Sequence, residues 1–242
     1  MAGIEGGEAR LAILIDADNA RAHNLEQLVV EIAKYGRASV RRAYGDWTST
    51  QLASWKGQLL EHSIQPIQQF SYTTGKNATD SALIIDAMDL LYSGNLDGFC
   101  IVSSDSDFTR LAARIREQGL IVYGFGERKT PQPFVAACDT FVYVENLAEE
   151  STPEPATAAQ PLRRDRKLDR LVAEAVEVAS GDDGWARLDV VGSNLSRLAS
   201  DFDPRTWGFR KLRDLLAAHP QYEVKSRSTG EGRGPSAYVR KT

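Results

Sequence analysis

Apolar and polar positions follow two rhythms along this chain. LAILID (11–16) is a continuous apolar run closing on an acid, the pattern of a strand buried on both faces. Leu25, Leu28, Val29, Ile32 and Ala33 then recur at helical spacing. ASVRRAYGD (38–46) alternates as a strand. Residues 48–61 return to the helical period through Leu52, Trp55, Leu59 and Leu60, and SIQPIQQF (63–70) predicts a short strand. A helix is predicted over 79–92 through Leu83, Ile84, Ala87, Met88 and Leu91, then a buried strand at GFCIVSS (98–104). A helix over 107–118, stopped by Gly119, precedes strands at 120–126 and 140–147. Such alternation predicts an α/β fold with a mostly parallel sheet and helices on both faces.

The rhythm changes after STPEPATAAQPLRRDR (151–166), which lacks periodic apolar residues and reads as a linker. Helices are predicted over 167–179, 190–200 and 207–218, with a short strand at 185–189. YEVKSR and AYVRK are strands separated by the Gly/Ser-rich turn STGEGRGPS. Three helices and a hairpin describe a small winged-helix α+β domain. The expected organisation is a disordered N-terminus at 1–9, an α/β domain at 10–148, a linker at 149–164 and the winged-helix domain at 165–242.

Composition is ordinary for a globular protein, with 42% hydrophobic and 26% charged residues, but charge is unevenly spread. Residues 1–160 hold 13 basic against 21 acidic residues, a net of -8; residues 161–242 hold 16 against 12, a net of +4. An acidic first part fits a metal site, and a basic second part fits a polyanion. Cys100 and Cys138 sit in apolar runs and read as reduced core thiols, and no CxxC or CxxH pair offers a zinc site. MAGIEGGEAR resembles neither a signal nor a transit peptide, and no apolar run reaches membrane-spanning length. These features predict a cytoplasmic protein with no membrane contact.

The acids carry the chemistry. Asp16 ends the first apolar strand, and Asp105 and Asp107 follow another, in IVSSDSDF. Ligand sites of open α/β sheets lie at the carboxyl ends of strands. Asp80 opens the helix in KNATDSALIIDA, which starts at the same edge if the connection is right-handed. Singly, each acid is explained as a helix cap or, for Asp18, a turn residue. Gathered at one edge they repel, unless a hard divalent cation offsets the charge. Lys76 and Arg110 are candidate phosphate contacts beside them. His23, His62 and His219 are scattered and read as surface residues.

The ordered set LIDADN, KNATDSALIIDA and SSDSDF resembles NYN domains, the LabA-like branch of the PIN-like nuclease superfamily, over about residues 10–147. The resemblance implies a Rossmann-like sheet and an RNase site that uses Mg²⁺ or Mn²⁺ held by Asp16, Asp80, Asp105 and Asp107. It maps Asn19 and Ser104 onto the family's polar positions, although many members have Gly at the place of Ser104. Residues 165–241 are similar to an OST-HTH/LOTUS domain, through LDRLVAEAVE, DGWARLDVVGSNLSRL, DPRTWGFRKLRDLLAAHPQYEV and AYVR. This implies RNA, single-stranded or structured, or a protein partner for the second domain. Arg205, Arg210, Lys211 and Arg213, with Lys225, Arg227, Arg233, Arg240 and Lys241 on the wing, can contact phosphates. Trp207 and Phe209 are expected in the core.

The expected function is metal-dependent endoribonuclease cleavage. The alternatives are a non-catalytic RNA-binding scaffold and a haloacid-dehalogenase-like phosphatase. The latter lacks its Thr, where Ala20 stands, and a suitable Lys before the late acids. No GxGxxG follows the first strand, which weighs against a dinucleotide enzyme, and GFGERKTP (124–131) reads as a turn. The apolar surface of a PIN-like fold could support a homodimer, though the sequence carries no specific signal for one.

Overall fold

A computed structural model describes residues 8–70, 78–148, 165–227 and 236–242. The chain divides into two compact units, Met1–Ser151 and Thr152–Thr242. Lys76, Arg233, most of the N-terminal segment and the expected linker at 149–164 lie outside the described residues.

The first unit is a six-stranded parallel sheet in the order β3-β2-β1-β4-β5-β6. Its strands are β1 (Arg10–Asp16), β2 (Arg37–Gly45), β3 (Gln65–Gln68), β4 (Gly98–Val102), β5 (Ile121–Gly126) and β6 (Thr140–Tyr143). The helices are α1 (Leu25–Ile32), α2 (Trp55–Glu61), α3 (Ala78–Tyr92), α4 (Thr109–Glu117), α5 (Gln132–Ala137) and α6 (Glu145–Ala148). The period-two side-chain alternation of a strand divides β1 between two cores. Leu11, Ile13 and Ile15 join α1, α2 and Leu147 of α6 on one face. Ala12 and Leu14 join Leu83 of α3, Leu111 of α4 and Phe134 of α5 on the other. With both faces covered, β1 and β4 are buried almost throughout, which is why their sequences are apolar runs.

The chain winds from β1 out to β3, then returns through α3 to β4 on the far side of β1. The direction of winding therefore reverses between β1 and β4, and their carboxyl ends flank the crevice where such folds bind ligands.

Several boundaries differ from the expected ones. The helix read over 48–61 is a 3-10 turn at Thr50–Leu52 followed by α2, and the strand read over 140–147 ends at Tyr143 before α6. The apolar pattern does not predict helix α5: its six residues give too short a period, and the prolines around it suggest a turn.

The second unit holds α7 (Arg166–Ala179), α8 (Leu188–Leu198) and α9 (Leu212–Ala218) against an antiparallel sheet in the order β7-β9-β8. These strands are β7 (Ala186–Arg187), β8 (Tyr222–Arg227) and β9 (Ser236–Lys241). Its core gathers Leu168, Val172, Val191, Leu195, Leu215 and Val239, with Trp207 and Phe209 half-buried against it. The helix expected from 207 begins only at Leu212. A 3-10 turn at Pro204–Trp207 ends on Gly208 at φ 80°, a left-handed conformation that interrupts the helix. No helix among the described residues is long and apolar enough to cross a membrane.

Candidate metal centre

Asp16 closes β1 and is fully buried. Its Oδ2 accepts hydrogen bonds from Ser103 Oγ at 2.7 Å and Asn19 Nδ2 at 2.8 Å. The Asn19 backbone N–H donates to Oδ1 at 3.3 Å. Burial pushes the Asp16 carboxyl up, against the pull of these donors, and the nearby Asp18 charge pushes the same way.

The turn after β4 supplies the next two acids. The Asp105 backbone N–H donates to Ser103 Oγ at 3.1 Å, and Asp105 Oδ1 accepts from the Asp107 N–H at 2.9 Å. Asp105 thus caps the 3-10 turn Ser106–Phe108, as its local sequence suggests. Capping and clustering coexist here. One carboxylate oxygen from each of Asp80, Asp105 and Asp107 lies within 4.8 Å of the others.

Asp80 reaches the group from the first turn of α3 and is only 8% exposed. Burial is the largest influence on it, followed by the charges of Asp16, Asp105, Asp107 and Asp18; together they push its carboxyl up to about 6. Asp16 is not one of the three clustered carboxylates, yet its charge is the strongest electrostatic influence on Asp80.

The residues fit a hard divalent cation on two counts. The donor set is entirely carboxylate oxygen, which suits Mg²⁺ or Mn²⁺. Oxygens bound to one such ion lie no more than about 4–5 Å apart, twice the metal–oxygen distance, and the three acids meet that limit.

Other expected residues fall in different places. Asn19 is held against Asp16 by its amide. Ser104 Oγ accepts from the Glu127 N–H at 2.8 Å, tying the end of β4 to the loop after β5, whereas Ser103 carries the contact to Asp16. Arg110 is exposed on α4, with no ion pair among the described residues. Arg210, Lys211 and Arg213 are exposed before and within α9, in the second unit. Lys225, Arg227 and Arg240 are less free than their sequence suggests. Their cationic groups stand 5.4, 4.4 and 4.7 Å from the centroid of the Trp185 ring, and each pairs with Glu223 or Asp183.

Three contributors have no distinct signal in the sequence. Asp18 Oδ2 accepts from Thr79 Oγ1 at 2.8 Å, linking the β1 loop to the residue before Asp80. Ser103 anchors Asp16. Lys129, in a stretch that reads only as a turn, borders a hollow with Asn19, Ser104, Asp105 and Ser106. Each is an ordinary loop residue whose place depends on strand order.

Comparison with known proteins follows the same division. The NYN domain model matches residues 10–145, and the OST-HTH/LOTUS domain model matches residues 163–233. Among solved structures, a crystal structure of a protein of unknown function from Vibrio parahaemolyticus is similar over 58% of this chain and 96% of its own, at 19% identity and TM-score 0.49. An uncharacterised protein from Nitrosomonas europaea, solved by NMR, matches 38% of this chain and 87% of its own, at 32% identity and TM-score 0.31. An NMR structure of residues 175–257 of a Chromobacterium violaceum protein matches 34% and 87%, at 28% identity and TM-score 0.27. Among curated proteins, none matches the chain. The chain belongs to the NYN domain family, a PIN-like fold, and carries an OST-HTH/LOTUS domain after its NYN domain.

Proposed function

We propose that this chain is a divalent-metal-dependent endoribonuclease whose ion is held by Asp80, Asp105 and Asp107, with Asp16 as the fourth acid of the site. The observation that carries the proposal is the convergence of three carboxylates at the carboxyl edge of β1 and β4. The NYN domain points to a nuclease, and the OST-HTH/LOTUS domain points to binding of RNA or protein. When bound, Mg²⁺ or Mn²⁺ supplies Lewis-acid activation of water and offsets charge building on the phosphoryl group.

The protein's own residues set the conditions for that chemistry. Ser103 and Asn19 fix the Asp16 carboxylate, so the fourth acid is held in one orientation. The Asp105 cap fixes the turn that carries Asp107. Lys129 and Arg110 supply positive charge for phosphates flanking the cleaved bond. Arg210, Lys211 and Arg213 extend phosphate binding to the second unit.

Purified protein incubated with single-stranded and structured RNA tests this. Internal cleavage is expected with Mg²⁺ or Mn²⁺, none with EDTA, and a drop of at least about a hundredfold in Asp16→Asn and Asp105→Asn. Equal cleavage by the Asp105→Asn protein would falsify the site assignment.

A further inference from the structure

The loop after β5 places a second charged group beside the acids. Glu127 follows Gly126 at the end of β5, and its side chain is 18% exposed. Its Oε2 accepts from Lys129 Nζ at 2.8 Å, and its Oε1 accepts from Arg21 Nε at 3.2 Å. The two cationic side chains are 69% and 67% exposed, so the carboxylate lies inward and both positive charges meet solvent. One carboxylate offsets only one of the two charges, and the trio stays net positive.

The loop that presents Lys129 is held in place. The Glu127 N–H donates to Ser104 Oγ at 2.8 Å. Thr130, which is buried, donates its hydroxyl and its N–H to the Glu127 carbonyl at 2.6 and 2.9 Å. Arg128 is committed elsewhere: it donates to Asn146 Oδ1 at 2.7 Å and stands 5.6 Å from the centroid of the Tyr143 ring. Lys129 is therefore the cation that this loop brings to the hollow beside Asp105.

That hollow measures about 180 Å³, and its other walls are Asn19, Ser104, Asp105, Ser106 and Pro131. Every wall but Pro131 is polar, so the space suits a charged, hydrogen-bonding ligand. Ser104 Oγ accepts from Glu127 and keeps its own O–H to donate, and the Ser106 hydroxyl has no partner among the described residues. An ammonium and two hydroxyls are the donors that phosphate oxygens take. Of the three clustered acids, only Asp105 borders the hollow, which puts it beside the metal position and not upon it.

We infer that this hollow takes the phosphate of the RNA linkage next to the cleaved one. Lys129 is its charged contact, Ser104 and Ser106 are its hydroxyl donors, and Glu127 is the positioning residue that holds Lys129 over the hollow. The inference rests on the nuclease reading, and its test separates the two.

In the first arm, the full chain with Mn²⁺ cleaves a short RNA at a mapped site. The RNA carries an uncharged methylphosphonate linkage at one position at a time, and kcat and KM are measured for each. Wild type is expected to lose about tenfold in kcat/KM at one linkage beside the cut, mostly through KM, and little at more distant linkages. Lys129→Met loses about tenfold on the unmodified RNA and nothing further at that linkage, whereas Lys129→Arg keeps the wild-type pattern. Glu127→Gln weakens the dependence on that linkage although it adds net positive charge, which separates positioning from simple attraction. In the second arm, binding of the unmodified RNA is measured in EDTA at fixed salt, and Lys129→Met is expected to bind severalfold more weakly than wild type.

Cleavage with no linkage standing out overturns the inference and leaves the nuclease reading intact. A methylphosphonate loss that persists undiminished in Lys129→Met also overturns it, because the two groups then act independently. Tighter binding by Glu127→Gln with the linkage dependence unchanged removes the positioning role. If no RNA is cleaved under any condition, the nuclease reading fails by itself. The second arm then decides whether Lys129 contacts an RNA phosphate, and equal affinity of Lys129→Met and wild type overturns that too.

Discussion

Asp80 bears the strain of the acidic cluster. It is nearly buried, faces four other carboxylates, and has its carboxyl raised from 3.8 to about 6. The folded state therefore holds this proton more tightly than the unfolded chain does. The stability the group contributes is fully present below about pH 4 and is lost as pH rises through about 6. Two pH units correspond to about 3 kcal/mol. In EDTA at pH 7, Asp80→Asn is accordingly expected to be more stable than wild type by about 1–3 kcal/mol in urea unfolding, with the gap closing near pH 4. An Asn variant no more stable at pH 7 contradicts this account of the site. Adding Mn²⁺ should reverse the order, raising the melting temperature of wild type and leaving Asp80→Asn unmoved. The trade is the usual one at a functional site, where stability is lower than the packing alone allows. At this scale the acids are legible in the sequence, because Asp16 and Asp105 stand where apolar runs end. Ser103 and Asp18 are not legible as partners. Ser103 and Ser104 fit the pattern equally well, and only the register of β4 against β1 and β5 distinguishes them.

Among the elements, α3 matters most to the site. It crosses back over the sheet to β4 and delivers Asp80 to the edge where β1 and β4 end. The right-handed crossover alone fixes its place, so the meeting of Asp80 with Asp105 and Asp107 is legible from strand order. Short elements are not: α5 and α6 are too brief for periodicity, and Gly208 splits a segment that reads as one helix. In the second unit, Asp165 does two jobs. It caps α7 by accepting from the Lys167 and Leu168 N–H groups, and it accepts the Trp207 indole N–H at 2.9 Å. These donors lower its carboxyl pKa, with the Trp207 bond the largest influence. Asp165→Ala is expected to cost about 1–2 kcal/mol, seen as an earlier melt of the second unit within the full chain. Asp165→Asn should recover part of that stability, since Asn also caps helices. A melt unchanged in Asp165→Ala contradicts the double role.

At the level of the whole molecule, the two units carry opposite charge, net -7 over Met1–Ser151 and net +3 over Thr152–Thr242. This suits a division in which the acidic unit holds a cation and the basic unit approaches a polyanion. Replacing Arg210, Lys211 and Arg213 together by Ala is expected to weaken RNA binding. It should also reduce the salt slope by about 0.7 for each phosphate of single-stranded RNA that is no longer neutralised. An unchanged affinity and slope at matched salt assigns this surface to protein docking instead. The wing contributes less than its sequence count suggests, because Lys225, Arg227 and Arg240 are engaged with Trp185, Glu223 and Asp183.

The central claim is that Asp80, Asp105 and Asp107 hold a divalent ion. Anomalous diffraction from crystals soaked in Mn²⁺ tests it most directly. The account predicts a peak within about 2.0–2.4 Å of one oxygen from each of the three carboxylates, and its disappearance in Asp105→Asn crystals soaked alike. No peak among the three acids, with Mn²⁺ bound elsewhere in the same crystals, contradicts it.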